Sequence, residues 1–290
     1  MVERFRHPSG VRTDMSADER ADGRDGSPIR VALLNGSPNP DRTAENFRRV
    51  FTDVDGFDVS IDDYRVQDLE FPDSDAEDDH DAAVISGSAD SVYDDAEHVD
   101  ALREWIRDAE IPILGVCYGH QAIVDAHGGT VEELPTGELG YATVEHDGDA
   151  FFEGVPERFV SFQSHGDAVT ELPPDAERLA RNDVCLQAMR LGEHVSVQFH
   201  PEIGLEYGRD LVDGIESSVE GAEGDGGDEG TEGDGGDEGA EGDVGDEDAG
   251  DDADARDFEA IRTTLTAENE RRSKEVHAIF GNFLRRIERS

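Results

Sequence analysis

An α/β fold is predicted for this chain: a doubly wound, mainly parallel sheet with flanking helices. Three observations predict it. Short apolar runs at 30–35, 57–61, 82–86 and 111–116 have the length and β-branched content of buried strands. Segments of helical periodicity separate these runs, and strands alternating with helices pack as parallel neighbours covered on both faces. The run at 111–116 leads through a Gly-x-Cys-x-Gly turn into a helix-like stretch, AIVDAHGG. Ligand sites of such sheets lie beyond the carboxyl ends of the strands, where this turn falls.

The elements follow in order. Residues 1–28 are polar, rich in Gly, Ser, Arg and Asp, and without periodicity, so a disordered extension is expected. The folded domain is expected over 29–215. It opens with the strand RVALLN (30–35), a turn at GSPNPD and a helix at TAENFRRVF. A helix over 96–109 carries Trp105 and Ile106 on its apolar side. After the turn at 115–119 and its helix come β-rich segments at 129–134, 140–146, 158–163, 184–191 and 194–199. From 216 to 257 the composition changes. EGDGGDEG occurs at 223–230 and again at 232–239, EGDVGDED follows at 241–248, and no Lys or Arg lies between Arg209 and Arg256. Glycine and like charges cannot offset the entropy of ordering, so a disordered acidic segment is expected. A calcium-binding β-roll shares the nine-residue period but needs a recurring large apolar residue that this tract lacks. Residues 258–290 return to helical spacing. Val276, Ile279, Phe280, Phe283, Leu284 and Ile287 form one stripe, predicted to dock on the core.

Charge bounds the function. The 290 residues include 72 acidic and 25 basic side chains, a net charge of −47, and Lys274 is the one lysine. This composition suits concentrated salt, where at about 1 M the Debye length is roughly 3 Å and self-repulsion is screened. Such a polyanion is not expected to bind nucleic acid through phosphates. The two cysteines make no disulfide framework, and Cys185, in VCLQAM, is expected to be a buried core thiol. His146 and His194 are expected at the surface. No signal-like apolar region and no run approaching a membrane span occurs, so a cytoplasmic protein without membrane contact is expected.

The turn at 115–119 carries the chemistry. Gly115 and Gly119 flank Cys117, where a Cβ would crowd so tight a turn. The turn sets the sulfur at a helix N-terminus, where free N–H groups and the dipole favour a thiolate. Downstream, VSVQFHPE places His200 and Glu202 two residues apart at a strand end. They point to one side, so Glu202 can orient the imidazole that deprotonates Cys117. A metal site built from Cys117, His120, His165, His200 and Glu202 would lack the short paired ligand spacing of zinc sites. No metal and no cofactor is expected. His120, His165 and Asp167 fit structural hydrogen bonding as well as direct participation.

GVCYGHQ (115–121) and FHPE (199–202), together with VISGSADSVYDD (84–95) and FQSHGDAVTELPPDAERLARND (162–183), resemble the class I, triad-type glutamine amidotransferases. Within that family they are most like the glutaminase part of GMP synthases. The resemblance implies a flavodoxin-like sheet and hydrolysis of the glutamine side-chain amide by Cys117, His200 and Glu202. It implies oxyanion donors at the Tyr118 amide and at the loop around Gly87 and Ser88. It implies substrate contacts from Gln121 and from the backbone at Ser164 and His165. It resumes at 275–288, which makes the acidic tract an insertion. The implied partners are L-glutamine and a separate ATP-dependent synthetase, since no nucleotide-binding signature is present. Many relatives have Gly-Gly-Pro where this chain has Gly87-Ser88-Ala89, which implies a less pre-organised loop. The same motifs resemble free-standing γ-glutamyl peptidases, the alternative reading, with a γ-glutamyl compound as substrate.

Overall fold

The computed structural model describes residues 27–72, 80–224 and 256–288. Nine strands form one sheet in the order β2-β1-β3-β4-β9-β8-β7-β5-β6. The strands β1 (Ile29–Asn35), β2 (Val59–Arg65), β3 (Ala82–Ile85) and β4 (Ile113–Val116) alternate with helices α1 (Pro40–Thr52) and α2 (Glu97–Asp108). They pair in parallel, with α1 crossing over between β1 and β2 and α2 between β3 and β4. Helix α3 (Tyr118–Ala126) follows β4. The second half runs β5 (Thr130–His146), β6 (Arg158–Glu171), β7 (Glu177–Arg181), β8 (Leu186–Leu191) and β9 (His194–Val197), then α4 (Leu205–Gly224), α5 (Phe258–Thr264), α6 (Ala267–Ser273) and α7 (Ala278–Ile287). Its strands pair antiparallel. The chain reverses between β8 and β9 through Gly192, at φ 58°, and β9 enters beside β4 in parallel. That insertion positions the site, because it sets the ends of β4 and β9 next to each other.

Side-chain alternation along β1 explains the double winding. Val31 and Leu33 face a core with Phe47 and Phe51 of α1 and Phe280 and Phe283 of α7. Ala32 and Leu34 face the other core, with Leu102 and Ile106 of α2 and Ile123 of α3. The strand is therefore buried on both faces and reads as a continuous apolar run. The C-terminal stripe is buried as its spacing predicts, from Val276 at 0% to Ile287 at 6% exposure.

Several boundaries differ from the expectation. Segments 129–134 and 140–146 belong to one long strand, interrupted by a register shift between Glu133 and Glu138. Strand β6 continues past 163 through Glu171. The polar β7 buries Leu179 and Ala180, too short a signal to stand out. Helix α4 continues through Gly224, past the change of composition at 216, and α5 and α6 precede the apolar stripe. The expected disorder at 1–26 and 225–255 lies outside the described residues. Among the described residues, no helix is long and apolar enough to cross a membrane.

Candidate active site

Cys117 ends β4 with φ 54° and ψ −106°, a positive φ that non-glycine residues adopt only under constraint. The constraint comes from close backbone packing. A Cβ on Gly115 would lie 2.5 Å from the Gly119 carbonyl oxygen, and one on Gly119 would collide with the Ile85 carbonyl. The Cys117 amide donates to Val197 O at 2.8 Å, tying the turn to β9. The sulfur lies 3.5 Å from Ser164 O and 3.8 Å from Gln198 Nε2. Cys117 is 5% exposed. It borders a cavity of about 490 Å³ that also takes in Gly87, Ser88, Tyr118, Gln121, Ser164, His165, His200 and Glu202. The sulfur is thus recessed within a pocket.

His200 extends β9, its amide donating to Phe162 O at 2.8 Å. Its Nδ1 lies 2.7 Å from Glu202 Oε1, and both residues are buried. Arg49 Nη2 donates to the Glu202 carbonyl at 2.7 Å, which fixes the backbone of that corner. Burial pushes the imidazole pKa down, but the Glu202 carboxylate and the nearby Cys117 side chain hold it well above its usual value. Gly87 closes over the pair: a Cβ there would lie 2.9 Å from His200 Cε1 and 3.7 Å from Cys117 Cβ. The Tyr118 amide sits in the first turn of α3, where no intrahelical acceptor exists.

The loop after β3 is held by side chains. Ser88 Oγ donates to Asp90 Oδ2 at 2.8 Å, and His98 Nε2 lies 3.0 Å from the same oxygen. Gln67 Nε2 reaches that oxygen at 3.3 Å. Burial would raise the Asp90 pKa, but the hydrogen bonds from Ser88, His98 and Gln67 hold its carboxyl below the usual range. Farther along, Ser91 Oγ donates to Asp167 Oδ2 at 2.7 Å and Tyr93 Oη to Asp167 Oδ1 at 2.9 Å. This bonding differs from the loosely organised loop that Gly87-Ser88-Ala89 implies. Ser88, Ser91 and Tyr93 supply the donors that hold it.

The residues expected at the substrate divide. Gln121 borders the cavity, but its Nε2 donates to Asp167 O at 3.0 Å and Gln198 Oε1 at 3.3 Å. Ser164 presents its carbonyl to the sulfur. The His165 ring turns away, with Nδ1 2.9 Å from Asp167 O and Nε2 3.2 Å from Glu138 Oε2. Sequence reading missed Asp90, Tyr93, Gln198 and Arg256. Tyr93 and Asp90 lie inside the quoted 84–95 motif, whereas nothing in the sequence singles out Arg256.

Cys117, His120, His165, His200 and Glu202 do not assemble as one metal-type group. His120 is buried with Nδ1 2.7 Å from Ser196 Oγ, and burial lowers its pKa to about 3, which makes it a neutral structural residue. The group that does converge is Glu138, His165 and Cys185, with donor atoms within 4.8 Å of one another. Hydrogen bonds already occupy it, from Asn182 Nδ2 at 2.7 Å and Gln187 Nε2 at 3.1 Å to Glu138. Burial pushes the Cys185 thiol up to about 12. Cys185 therefore sits in a polar network and not in an apolar core. His194 and His146 are half-buried rather than superficial. Burial lowers the His194 pKa to about 4, and His146 stacks on Phe152 at 4.8 Å.

The family described as "Glutamine amidotransferase class-I" matches residues 39–211. The GMP synthase (glutamine-hydrolyzing) of Enterococcus faecalis is 40% identical over 148 residues, 49% of this chain and 28% of that protein. That of Thermosipho melanesiensis is 36% identical over 143 residues, 48% of this chain and 27% of that protein. The chain thus spans little more than a quarter of the length of these relatives. Among solved structures, a glutamine amidotransferase from Thermotoga maritima shares the fold. It has a TM-score of 0.64 at 21% identity, covering 90% of this chain and 99% of that one. A candidate GMP synthase subunit protein from Thermoplasma acidophilum gives a TM-score of 0.51 at 26% identity, covering 69% and 99%.

Proposed function

This chain belongs to the class I glutamine amidotransferase family, and from that premise we propose that it hydrolyses the side-chain amide of L-glutamine and passes the ammonia to a separate ATP-dependent synthetase, the one that makes GMP. The observation that carries the reading is the His200–Glu202 pair at 2.7 Å, which shares one cavity with a Cys117 held at positive φ. Cys117 attacks the amide carbon. His200 takes the thiol proton and delivers it to departing ammonia, and its raised pKa favours the protonated form that this delivery needs. Glu202 accepts from Nδ1 and so keeps Nε2 for the thiol. The tetrahedral oxyanion forms beside the amides of Tyr118 and of the Gly87–Ser88 loop, where each donor is worth about 10²–10³ in rate. Water then hydrolyses the γ-glutamyl thioester. The Ser164 and His165 backbone and Gln121 border the bound side chain. In this reading the chain works in the cytoplasm, needs no metal or cofactor, and folds as a domain of residues 29–215 closed by 258–290.

One observation favours the second reading, a free-standing γ-glutamyl peptidase. The loop bearing Gly87 and Ser88 is already tied down by Asp90 and Asp167, as an enzyme active without a partner requires. The test is to assay ammonia release from L-glutamine and cleavage of γ-glutamyl dipeptides in high salt, with and without the synthetase and its nucleotide, using Cys117→Ala as blank. The amidotransferase reading expects slow glutamine turnover that the loaded synthetase raises about tenfold or more, well within the worth of one oxyanion donor. Rapid dipeptide cleavage by the isolated chain would replace it with the peptidase.

A further inference from the structure

We propose that Glu138, His165, Cys185 and Gln187 form a structural site for a divalent, zinc-type cation, set in the sheet beside the strand that touches the Cys117 sulfur. The proposal goes beyond the glutaminase reading and enters no step of it. Among the described residues, Glu138, His165 and Cys185 are the group of His, Cys and acidic side chains whose donor atoms converge, all within 4.8 Å of one another. Glu138 lies on β5 opposite His165 on β6, where pairing resumes after the register shift. Cys185 stands just before β8 and Gln187 within it. Glu138 Oε2 is the common vertex. It lies 3.2 Å from His165 Nε2, 3.7 Å from Cys185 Sγ and 3.1 Å from Gln187 Nε2. Gln187 Nε2 in turn lies 3.3 Å from Cys185 Sγ. Ligand atoms of a tetrahedral zinc ion, bound at about 2.0–2.3 Å, stand about 3.3–3.8 Å apart. The four side chains are thus spaced as a coordination shell is.

The polarity of His165 carries the argument. Its Nδ1 lies 2.9 Å from the Asp167 carbonyl oxygen, an acceptor, so Nδ1 holds the proton and the neutral ring has its lone pair on Nε2. Metal-binding histidines take this tautomer, with the second nitrogen donating to a backbone carbonyl. His165 is 7% exposed and Nε2 has no hydrogen-bond partner, although the Glu138 carboxylate is beside it. A proton on Nε2 would not be aimed at Oε2, whereas an ion bonded to both atoms needs no such line. The glutamines can follow. Gln163 Nε2 donates to Gln187 Oε1 at 3.2 Å, and Gln163 Oε1 is buried without a partner. Turning both amides over reverses their mutual bond and brings Gln187 Oε1 toward Glu138 and Cys185 as the fourth ligand. Burial and the Glu138 charge hold the Cys185 thiol protonated. A bound ion inverts that balance: the thiol releases its proton to solvent as the sulfur–metal bond forms. Carboxylate and thiolate then neutralise the two charges of the ion, and a thiolate with an imidazole selects zinc over magnesium or calcium. His165 follows Ser164, whose carbonyl lies 3.5 Å from the Cys117 sulfur, so the ion fixes the stretch of β6 beside the nucleophile.

The test titrates the full-length Cys117→Ala chain with Co²⁺, in which Cys185 is the remaining thiol. Thiolate-to-cobalt charge-transfer absorption should appear and saturate at about one equivalent, and Zn²⁺ should displace it. Carboxylates of the acidic tract bind cobalt without producing that band. Zn²⁺ should also slow alkylation of Cys185 by iodoacetamide about tenfold or more, since the metal holds the sulfur lone pair. Adding Cys185→Ser should abolish the band. His165→Gln should weaken cobalt binding by at least the about 10- to 100-fold that loss of a ligand's own support costs. Should His165→Gln fail to fold, the band in the Cys117→Ala chain and its loss with Cys185→Ser decide the matter. No band in the Cys117→Ala chain overturns the proposal. So does a band that appears in the wild type alone, which would put the ion on the catalytic thiol, or one that survives Cys185→Ser. Failure of the glutaminase reading would leave these results untouched, because none of them measures turnover.

Discussion

The two backbone segments that meet at the pocket are held in different ways. The turn at Cys117 is fixed by atoms that cannot move: Gly115 rests against Gly119, and Gly119 against the Ile85 carbonyl. The loop over 87–94 is fixed by side chains: Ser88, His98 and Gln67 converge on Asp90, and Ser91 and Tyr93 on Asp167. Close packing is all or nothing, because a single methyl has no place to go. A hydrogen-bonded loop can be loosened in steps by substitution, pH or a docked partner. Cys117 is therefore held in one place, whereas the loop proposed to serve the oxyanion is the part of the site that substitution or a docked partner can reach.

The largest expected effect breaks the packed side. Gly119→Ala drives a methyl into the Ile85 backbone. It should cost about 1–3 kcal/mol or more as overpacking and abolish turnover, since relief requires α3 to shift and Cys117 to leave its strained φ. Thermal unfolding with an activity assay measures both. A variant that keeps wild-type turnover would show that the glycines are not what fixes the turn.

Next comes Glu202→Gln, which tests the buried pair that both segments serve. Turnover should fall by about 10² or more, because an amide cannot hold the imidazole in one tautomer as a carboxylate does. The pair also predicts a pH signature. His200 has its pKa raised in the fold by Glu202 and Cys117 against the opposing effect of burial. Its contribution to stability is therefore fully present below the unfolded value of about 6.5 and is lost as pH rises through the folded value. Denaturant midpoints of wild type and Glu202→Gln should differ most near pH 6 and converge as pH rises. A gap that widens toward alkaline pH would contradict the assigned shift.

How much of this was legible in the sequence follows from the same contrast. The packed turn announces itself, because close backbone approach demands glycine at fixed spacing around Cys117, and a strand-end pair two residues apart must share a side. The parallel strands were legible because burial on both faces leaves continuous apolar runs. Strand β7 and helix α4 were not, since a two-residue buried stretch in ERLAR and a helix rich in Gly and Glu carry little periodic signal. The loop's hydrogen bonds were also hidden. Asp90, His98 and Gln67 lie on three separate segments, and only the fold brings them to one place. Arg256 is hidden for the same reason, standing just past the acidic tract and meeting β5 at Gly137 only in three dimensions.

A smaller effect is expected for Asp167→Asn. The carboxylate accepts from both Ser91 and Tyr93, and hydrogen bonds to charged groups are worth about 1.5–3 kcal/mol. Neutralising it should lower kcat by about tenfold and leave the reactivity of Cys117 toward iodoacetamide unchanged, because the turn is held independently. Equal loss of both would mean that loop and turn are one mechanical unit.

Ser88→Ala should have the smallest effect and sharpens the comparison most. The hydroxyl donates to Asp90 and accepts from the Asp90 amide at 3.2 Å, a short-range bridge within the loop. Its loss leaves His98 and Gln67 on the same carboxylate, so Asp90 keeps two donors and the loop keeps its anchor. One net hydrogen bond is worth about 0.5–1.5 kcal/mol, which bounds the fall in kcat at about tenfold. Because the surviving contacts to the Asp90 carboxylate are electrostatic, the defect should deepen with added salt. The same conditions should leave Gly119→Ala unaltered. Equal salt responses in the two variants would show that both segments are held by the same forces, and the division between a packed and a bonded half of the site would fail.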